Sequence, residues 1–191
     1  MTIRVRAARP DDAAALAQLI NQIIAIGGTT AHETPFDAAS FAQAYLTGPD
    51  ALCCHVAESV PGQPPLGFQS LSRNPDLAPD WGDIGTFARA EPKVAGVGTA
   101  LFAATRVAAQ TLGLSTIFAV IRADNSGGLA YYSRMGFVDW QTYPGVPLRD
   151  GTRVDRIAKL FHLPPAVPLT GDLGRTVQWT MRVDRANGHG P

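Results

Sequence analysis

Cysteine is scarce, net charge is zero, and long apolar runs are missing; each shortage narrows what the chain does. The 191 residues include two cysteines, Cys53 and Cys54, adjacent in sequence. Neighbours on a strand point to opposite faces, so the two cannot easily bridge. They are expected to be reduced core residues of a cytoplasmic protein, one facing inward and one outward. Sixteen basic residues balance sixteen acidic ones. That balance leaves no electrostatic footprint for nucleic acid or an anionic membrane, and it favours a small or neutral substrate. No apolar run reaches the ~20 residues that a bilayer-spanning helix needs. The first residues, Met1-Thr-Ile-Arg-Val-Arg6, read as a strand and not as a signal peptide. His32, His55 and His162 show no metal-ligand spacing with each other or with the cysteines, so no metal is expected. Internal repeats and low-complexity blocks are also missing.

What is present suits one compact domain. Hydrophobic residues make up 46% of the chain, enough for a buried core. Ile3 to Ala7 alternates as a short strand. Arg9-Pro-Asp-Asp12 reads as a helix start, followed by an apolar face at Leu16, Leu19, Ile20, Ile23 and Ile24. Gly27-Gly28 ends that helix. Asp37 to Leu46 reads as a second helix, with Phe36, Phe41 and Tyr45 towards the core. Strands are predicted over Leu52–Glu58, Leu66–Arg73 and Asp83–Ala88. A helix over Val97–Leu112 should bury Leu101, Thr105, Ala108, Ala109 and Leu112. Thr116–Ile121 is a continuous apolar run, the mark of a strand covered on both faces. Asn125 caps a helix to Met135, and Phe137–Tyr143 pairs with Arg153–Phe161 across Arg149-Asp-Gly151. The class is α/β with a mixed sheet of about seven strands and four helices. The domain is expected to span residues 1–165. The extension, 166–191, carries a strand over Val177–Val183 that is expected to pair with the sheet edge of a second copy and give a homodimer. The last eight residues are expected to be disordered.

The segment that carries chemistry is Lys93-Val-Ala-Gly-Val-Gly-Thr99, between a strand and a helix. Free amides of a first helical turn, with the helix dipole behind them, attract an anion, and glycine lets the backbone approach it. Alone, Gly96-Val-Gly98 is no more than a tight turn or a phosphate cradle. The dinucleotide fingerprint fails, because position 101 is Leu, and the P-loop fails, because no Gly-Lys-Ser/Thr follows.

In context the loop resembles that of the GCN5-related N-acetyltransferase (GNAT) superfamily, whose pyrophosphate loop reads Gln/Arg-x-x-Gly-x-Gly/Ala after the fourth strand. Lys93 stands where Gln or Arg is usual, which keeps a cation but loses the planar fork. A second superfamily signature follows one strand later, in Asn125-Ser-Gly-Gly-Leu-Ala-Tyr-Tyr132-Ser-Arg-Met-Gly136-Phe137. Gly128 replaces a usual Ala. The resemblance covers about residues 1 to 162. It implies the GNAT acyl-CoA fold with acetyl-CoA as cofactor, its pyrophosphate on Lys93, Val94, Ala95, Gly96, Val97, Gly98 and Thr99. Its pantetheine arm would lie along the backbone of Phe87 and Ala88 and near Asn125, in a splay between that strand and Thr116–Ile121. The Tyr132 hydroxyl would serve the departing thiolate, with Tyr131 as a packing residue.

Amide formation also needs a base for the amine. Asp83, four residues before Phe87, lies where the phosphinothricin and amino-acid N-acetyltransferase branch has a Glu; Asp80 is the fallback. Being one methylene shorter, Asp83 favours a bridging water. The segment Gly28-Thr-Thr-Ala-His-Glu33 resembles that branch's substrate-side loop, so Thr30, His32 and Glu33 are candidate substrate contacts. Arg73 and Arg153 are candidates for a substrate carboxylate. His32 with Glu33 also reads as a solvated loop pair. The implied reaction is direct acetyl transfer in a ternary complex to the amine of an amino acid or analogue. The alternatives are a non-catalytic acyl-CoA-binding module, a mononucleotide-binding fold, and acetylation of a protein or polyamine amine.

Overall fold

A computed structural model describes residues 2–164 and the backbone of residues 179–182. Strand β1 (Thr2–Ala7) leads through a single 3-10 turn, Pro10–Asp12, into α1 (Ala13–Ile26). Arg6 fixes this junction. Its guanidinium reaches both Asp12 oxygens at 2.7 and 2.8 Å and Glu58 at 3.2 Å, tying β1 to the helix start and to β2. That contact holds the Asp12 carboxyl below the usual carboxylate range. Helix α2 (Ala38–Ala42) is short and continues as a π-helical turn over Gln43–Thr47, so the expected second helix changes pitch midway. Asp37 caps it, accepting from the Ser40 amide at 2.7 Å.

Strands β2 (Ala51–Glu58), β3 (Gly67–Ser72) and β4 (Trp81–Ala88) follow as an antiparallel meander. Helix α3 (Val97–Thr111) then crosses to β5 (Thr116–Arg122). Helix α4 (Ser126–Arg134) precedes the hairpin β6 (Val138–Pro147) and β7 (Arg153–His162). The expected order of elements is the observed one.

The sheet has eight strands in the order β6-β7-β5-β4-β3-β2-β1-β8, where β8 is Trp179–Arg182. Among the described residues only β4 and β5 pair in parallel, which is what a helical crossover permits. Helices α1 and α2 cover one face through Leu16, Ile20 and Phe41 against Phe68 and Phe87. Helices α3 and α4 cover the other through Phe102, Ala109 and Tyr132 against Leu71, Ile84 and Ile117. Cys54 packs with the first layer and Cys53 against the second, and both are free. Burial pushes Cys53 up to about 11 and Cys54 up to about 12, so both stay as thiols at neutral pH.

Two expectations are corrected. Leu112 is 47% exposed, not buried; it follows the last residue of α3, and Leu114, two residues on, is the one that packs in the second layer. The tail strand pairs antiparallel with β1 of its own chain, Thr2 opposite Arg182 and Val5 opposite Trp179. It therefore joins the β1 edge of its own chain and not the sheet edge of a second copy. The ends of the expected Val177–Val183 strand, the segment 165–178 and the final residues 183–191 lie outside the described residues. Among the described residues, no helix is long and apolar enough to cross a membrane, and no cluster could hold a metal ion.

Candidate active site

The parallel pair is also where the sheet comes apart. β4 and β5 are in register at Trp81 with Thr116, Gly82 with Ile117 and Asp83 with Phe118, and pair no further. Beyond that point β4 runs on to Ala88 bonded only to β3, and β5 runs on to Arg122 bonded only to β7. The fork leaves backbone amides and carbonyls of residues 84–88 without a strand partner on one side. Such an edge accepts an extended ligand as an added strand.

Alternation along β4 sends its side chains to opposite faces. Asp83, Gly85 and Phe87 face the α1–α2 layer, while Ile84 and Thr86 face α3 and α4. Asp83 sits at the fork itself. It is half-buried, and its Oδ2 accepts from Asn74 Nδ2 at 3.0 Å. Burial raises its pKa, against a smaller lowering by the Asn74 bond. Asp80 is exposed, three residues earlier, and its backbone oxygen accepts from Ser115. On the same face as Asp83, Phe87 stacks on Phe68 at 4.7 Å and lies 6.0 Å from the His32 ring. A Cβ on Gly85 would meet the Phe87 ring at 2.8 Å, so glycine there lets the ring fold back along the strand.

His32 is not the solvated partner of Glu33. Its Nε2 lies 2.7 Å from the Tyr45 hydroxyl, and burial lowers its pKa, so it is neutral at pH 7. Thr30 is buried, and its hydroxyl accepts from the His32 amide. Glu33 points to the other end of the sheet, where both carboxylate oxygens accept from the Arg149 amide at 3.0 and 2.9 Å. It latches the α1–α2 loop to the β6–β7 loop. Arg153 spends a donor on the Gly145 carbonyl at 2.9 Å, within its own hairpin. Arg73 is exposed, just past β3. The structure therefore gathers Asp83, His32 and Phe87 on one face and leaves Arg73 and Arg153 at the surface.

On the opposite face α4 delivers two tyrosines. The Tyr132 hydroxyl lies 2.9 Å from Thr86 Oγ1, and burial raises its pKa, so it remains a neutral phenol. Tyr131 donates to the Gly98 carbonyl at 2.9 Å. Asn125 caps α4 by accepting from the Gly128 amide at 2.8 Å and donates to the Thr29 carbonyl at 2.9 Å. Both ends of that side chain are thus engaged, holding α4 to the α1–α2 loop. A Cβ at Gly128 would meet Asn125 Nδ2 at 2.6 Å, which accounts for glycine where Ala is usual.

The helix α3 opens beside the fork. Gly96 is its cap residue with φ +86°, a left-handed conformation that suits glycine. The amides of Val97, Gly98 and Thr99 belong to the first turn and lack intrahelical acceptors. Val97 is buried, anchoring the turn, while Lys93, Ala95 and Thr99 are exposed and Val94 packs at the rim of the core. Gly98 has a second reason to be glycine: a Cβ there would lie 2.6 Å from Tyr131 Cε2. Gly98→Ala should push Tyr131 off α3 and cost about 1–3 kcal/mol. Thermal melting should fall by several degrees, and calorimetry should show weaker acetyl-CoA binding.

Sequence reasoning missed Asn74, Thr86 and Gln69. Gln69 is fully buried, opposite Thr86 in register, and donates to Thr86 Oγ1 at 2.7 Å and to the Tyr131 hydroxyl at 3.2 Å. A polar residue sharing a strand face with Gly67 and Leu71 was the available signal. Asn74, in a loop, gave none.

A family model described as the acetyltransferase (GNAT) domain matches residues 2–138. No curated protein matches by sequence. Solved structures that are similar include a phosphinothricin acetyltransferase from Sinorhizobium meliloti in complex with acetyl-CoA, 20% identical with a TM-score of 0.75, over 91% of this chain and 95% of that one. A ribosomal-protein-alanine N-acetyltransferase from Brucella melitensis is 20% identical with a TM-score of 0.72, over 83% of this chain and 99% of that one. An N-acetyltransferase from Staphylococcus aureus Mu50 is 17% identical with a TM-score of 0.71, over 85% and 99%. At these identities the likeness is one of fold.

Proposed function

The chain belongs to the acetyltransferase (GNAT) domain family, and from that premise we propose that it transfers an acetyl group from acetyl-CoA to the primary amine of a small molecule, an amino acid or analogue, in a ternary complex. The observation that carries this reading is the fork between β4 and β5, with the Asp83 carboxyl on one face and the Tyr132 phenol on the other.

The residues fit the cofactor. The first-turn amides of α3, with Lys93 before them, suit its pyrophosphate. The unpaired edge of β4 around Phe87 and Ala88 suits its amide-rich arm. When bound, acetyl-CoA supplies the acetyl group as a thioester. Asp83 then takes the proton that the amine must shed, directly or through one water, and its raised pKa makes it a better base than an exposed Asp. A free β4 amide in the fork can polarise the carbonyl. Tyr132, kept as a phenol by burial, has a hydrogen to give the departing sulfur.

The test is release of free CoA thiol from acetyl-CoA against a panel of L-amino acids, their phosphinic analogues and polyamines. Turnover on an α-amino acid or analogue is the expected result. Tight acetyl-CoA binding with no turnover on any amine would leave only an acyl-CoA-binding module. Preference for polyamines would overturn the substrate class alone.

A further inference from the structure

We propose that Gln69 and Thr86 set the hydrogen-bond direction of Tyr132, keeping its one hydrogen free for the leaving sulfur. This rests on the reading of Tyr132 as the group serving that sulfur.

Counting hydrogens fixes the first links of the chain, and the proposal assigns the last. A hydroxyl has one hydrogen to donate, a carbonyl has none, and a carboxamide NH2 has two. Tyr131 spends its hydrogen on the Gly98 carbonyl at 2.9 Å. Its oxygen can then only accept from Gln69, 3.2 Å away, so the Gln69 NH2 must face it. The same NH2 lies 2.7 Å from Thr86 Oγ1 and gives it the second hydrogen. A turned amide would set Gln69 Oε1 against a tyrosine oxygen with no hydrogen left to share. Thr86 Oγ1 lies 2.9 Å from the Tyr132 oxygen, a contact in which either hydroxyl can donate; with one lone pair already taken by Gln69, Thr86 is assigned here as the donor. With Thr86 as donor, Tyr132 is an acceptor, and its hydrogen has no other partner among the described residues.

Two further observations support this direction. Gln69 is 0% exposed, and its Oε1 has no partner among the described residues, so its two donations are what hold the amide in place. The pair is also built into the sheet: Gln69 and Thr86 are register partners on β3 and β4, so the chain of donors lies across the strand that lines the fork. Without Gln69, Thr86 Oγ1 would lack its donor and would take the Tyr132 hydrogen itself.

That reversal gives an unusual pattern of variants. Gln69→Met should lower kcat about tenfold, as the Tyr132 hydrogen turns to Thr86. Adding Thr86→Val removes the competing oxygen, so the double variant should recover most of that loss. Acetyl-CoA affinity should hold within about twofold in both. In a Tyr132→Phe background Gln69→Met should have no further effect. Rates are read with the best amine of the panel above.

A second readout needs no turnover. The thiolate absorbance of bound CoA, titrated with pH, should show a thiol pKa below that of free CoA in the unsubstituted protein. It should return towards the free value in Gln69→Met and move back down in the double variant. Gln69→Leu serves if the Met variant does not fold. Wild-type kcat and thiol titration in Gln69→Met, or a double variant slower than Gln69→Met, would overturn the proposal while leaving the Tyr132 reading intact. A Tyr132→Phe variant as fast as the unsubstituted protein would instead sink that reading and the proposal together.

Discussion

Asp83→Asn is expected to lower kcat by about 10²- to 10⁴-fold, the usual worth of a positioned base, while acetyl-CoA affinity stays unchanged. The same variant should be as stable as the unsubstituted protein, or more so, at neutral pH. Burial lifts the folded-state pKa of Asp83 above its ordinary carboxylate value. The folded chain therefore holds that proton more tightly than the unfolded chain does. Stability is full below the ordinary carboxylate pKa and declines as pH rises through the raised one. Above that raised pKa the ionised Asp83 is a burden on the fold, and Asn removes it. The amide oxygen of Asn can still accept from Asn74, whose bond to Oδ2 is 3.0 Å in the structure. Activity should run the other way. The acid limb of kcat/KM should lie above the ordinary Asp range and vanish in Asp83→Asn. Melting curves and a pH–rate profile check both halves. A variant that loses activity only because it unfolds would contradict the base assignment.

Tyr132→Phe is expected to lower kcat by about a hundredfold with little change in acetyl-CoA binding. The ring packs against Phe137 at 5.0 Å between centroids, and Phe keeps that contact. What is removed is the hydroxyl, 2.9 Å from Thr86 Oγ1. A neutral phenol can stabilise a developing thiolate only by donating, and burial keeps Tyr132 neutral across the physiological range. The loss should therefore be flat over neutral pH, unlike that of Asp83→Asn. Stopped-flow or steady-state thiol release over a pH series separates the two. Equal activity would remove Tyr132 from the chemistry.

The order of elements was legible in the sequence because each carried its own period or punctuation. Gly27-Gly28, Gly113 and Gly136 end helices with positive φ, and the run Thr116–Ile121 is buried on both faces as its continuous apolar character predicts, except at Val120, which is exposed. Asp83, Phe87 and Tyr132 could be placed on the elements that flank the fork through the resemblance to the superfamily's motifs. Loop contacts were not legible. Nothing in Glu33 announces that it grips a backbone amide more than a hundred positions away, at Arg149. The tail strand was visible as alternation, but alternation does not say whose edge it joins. Gln69 was passed over because a lone polar residue in an apolar strand is silent about its partners until the neighbouring strand is in register.

The fork has a consequence for how the two ligands reach each other. Among the described residues the sheet opens at the β4–β5 fork, and on the reading proposed above each ligand would have its own doorway there. The cofactor's would be the side built by α3 and α4, the acceptor's the side built by α1, α2 and the loop between them. Neither ligand would then cross the other's path. On that reading, substitutions at His32 would retune the choice of amine without touching the cofactor's grip at Gly96 and Gly98. The chain would then present two binding surfaces that meet at a single hole, tied to each other where Asn125 donates to the Thr29 carbonyl.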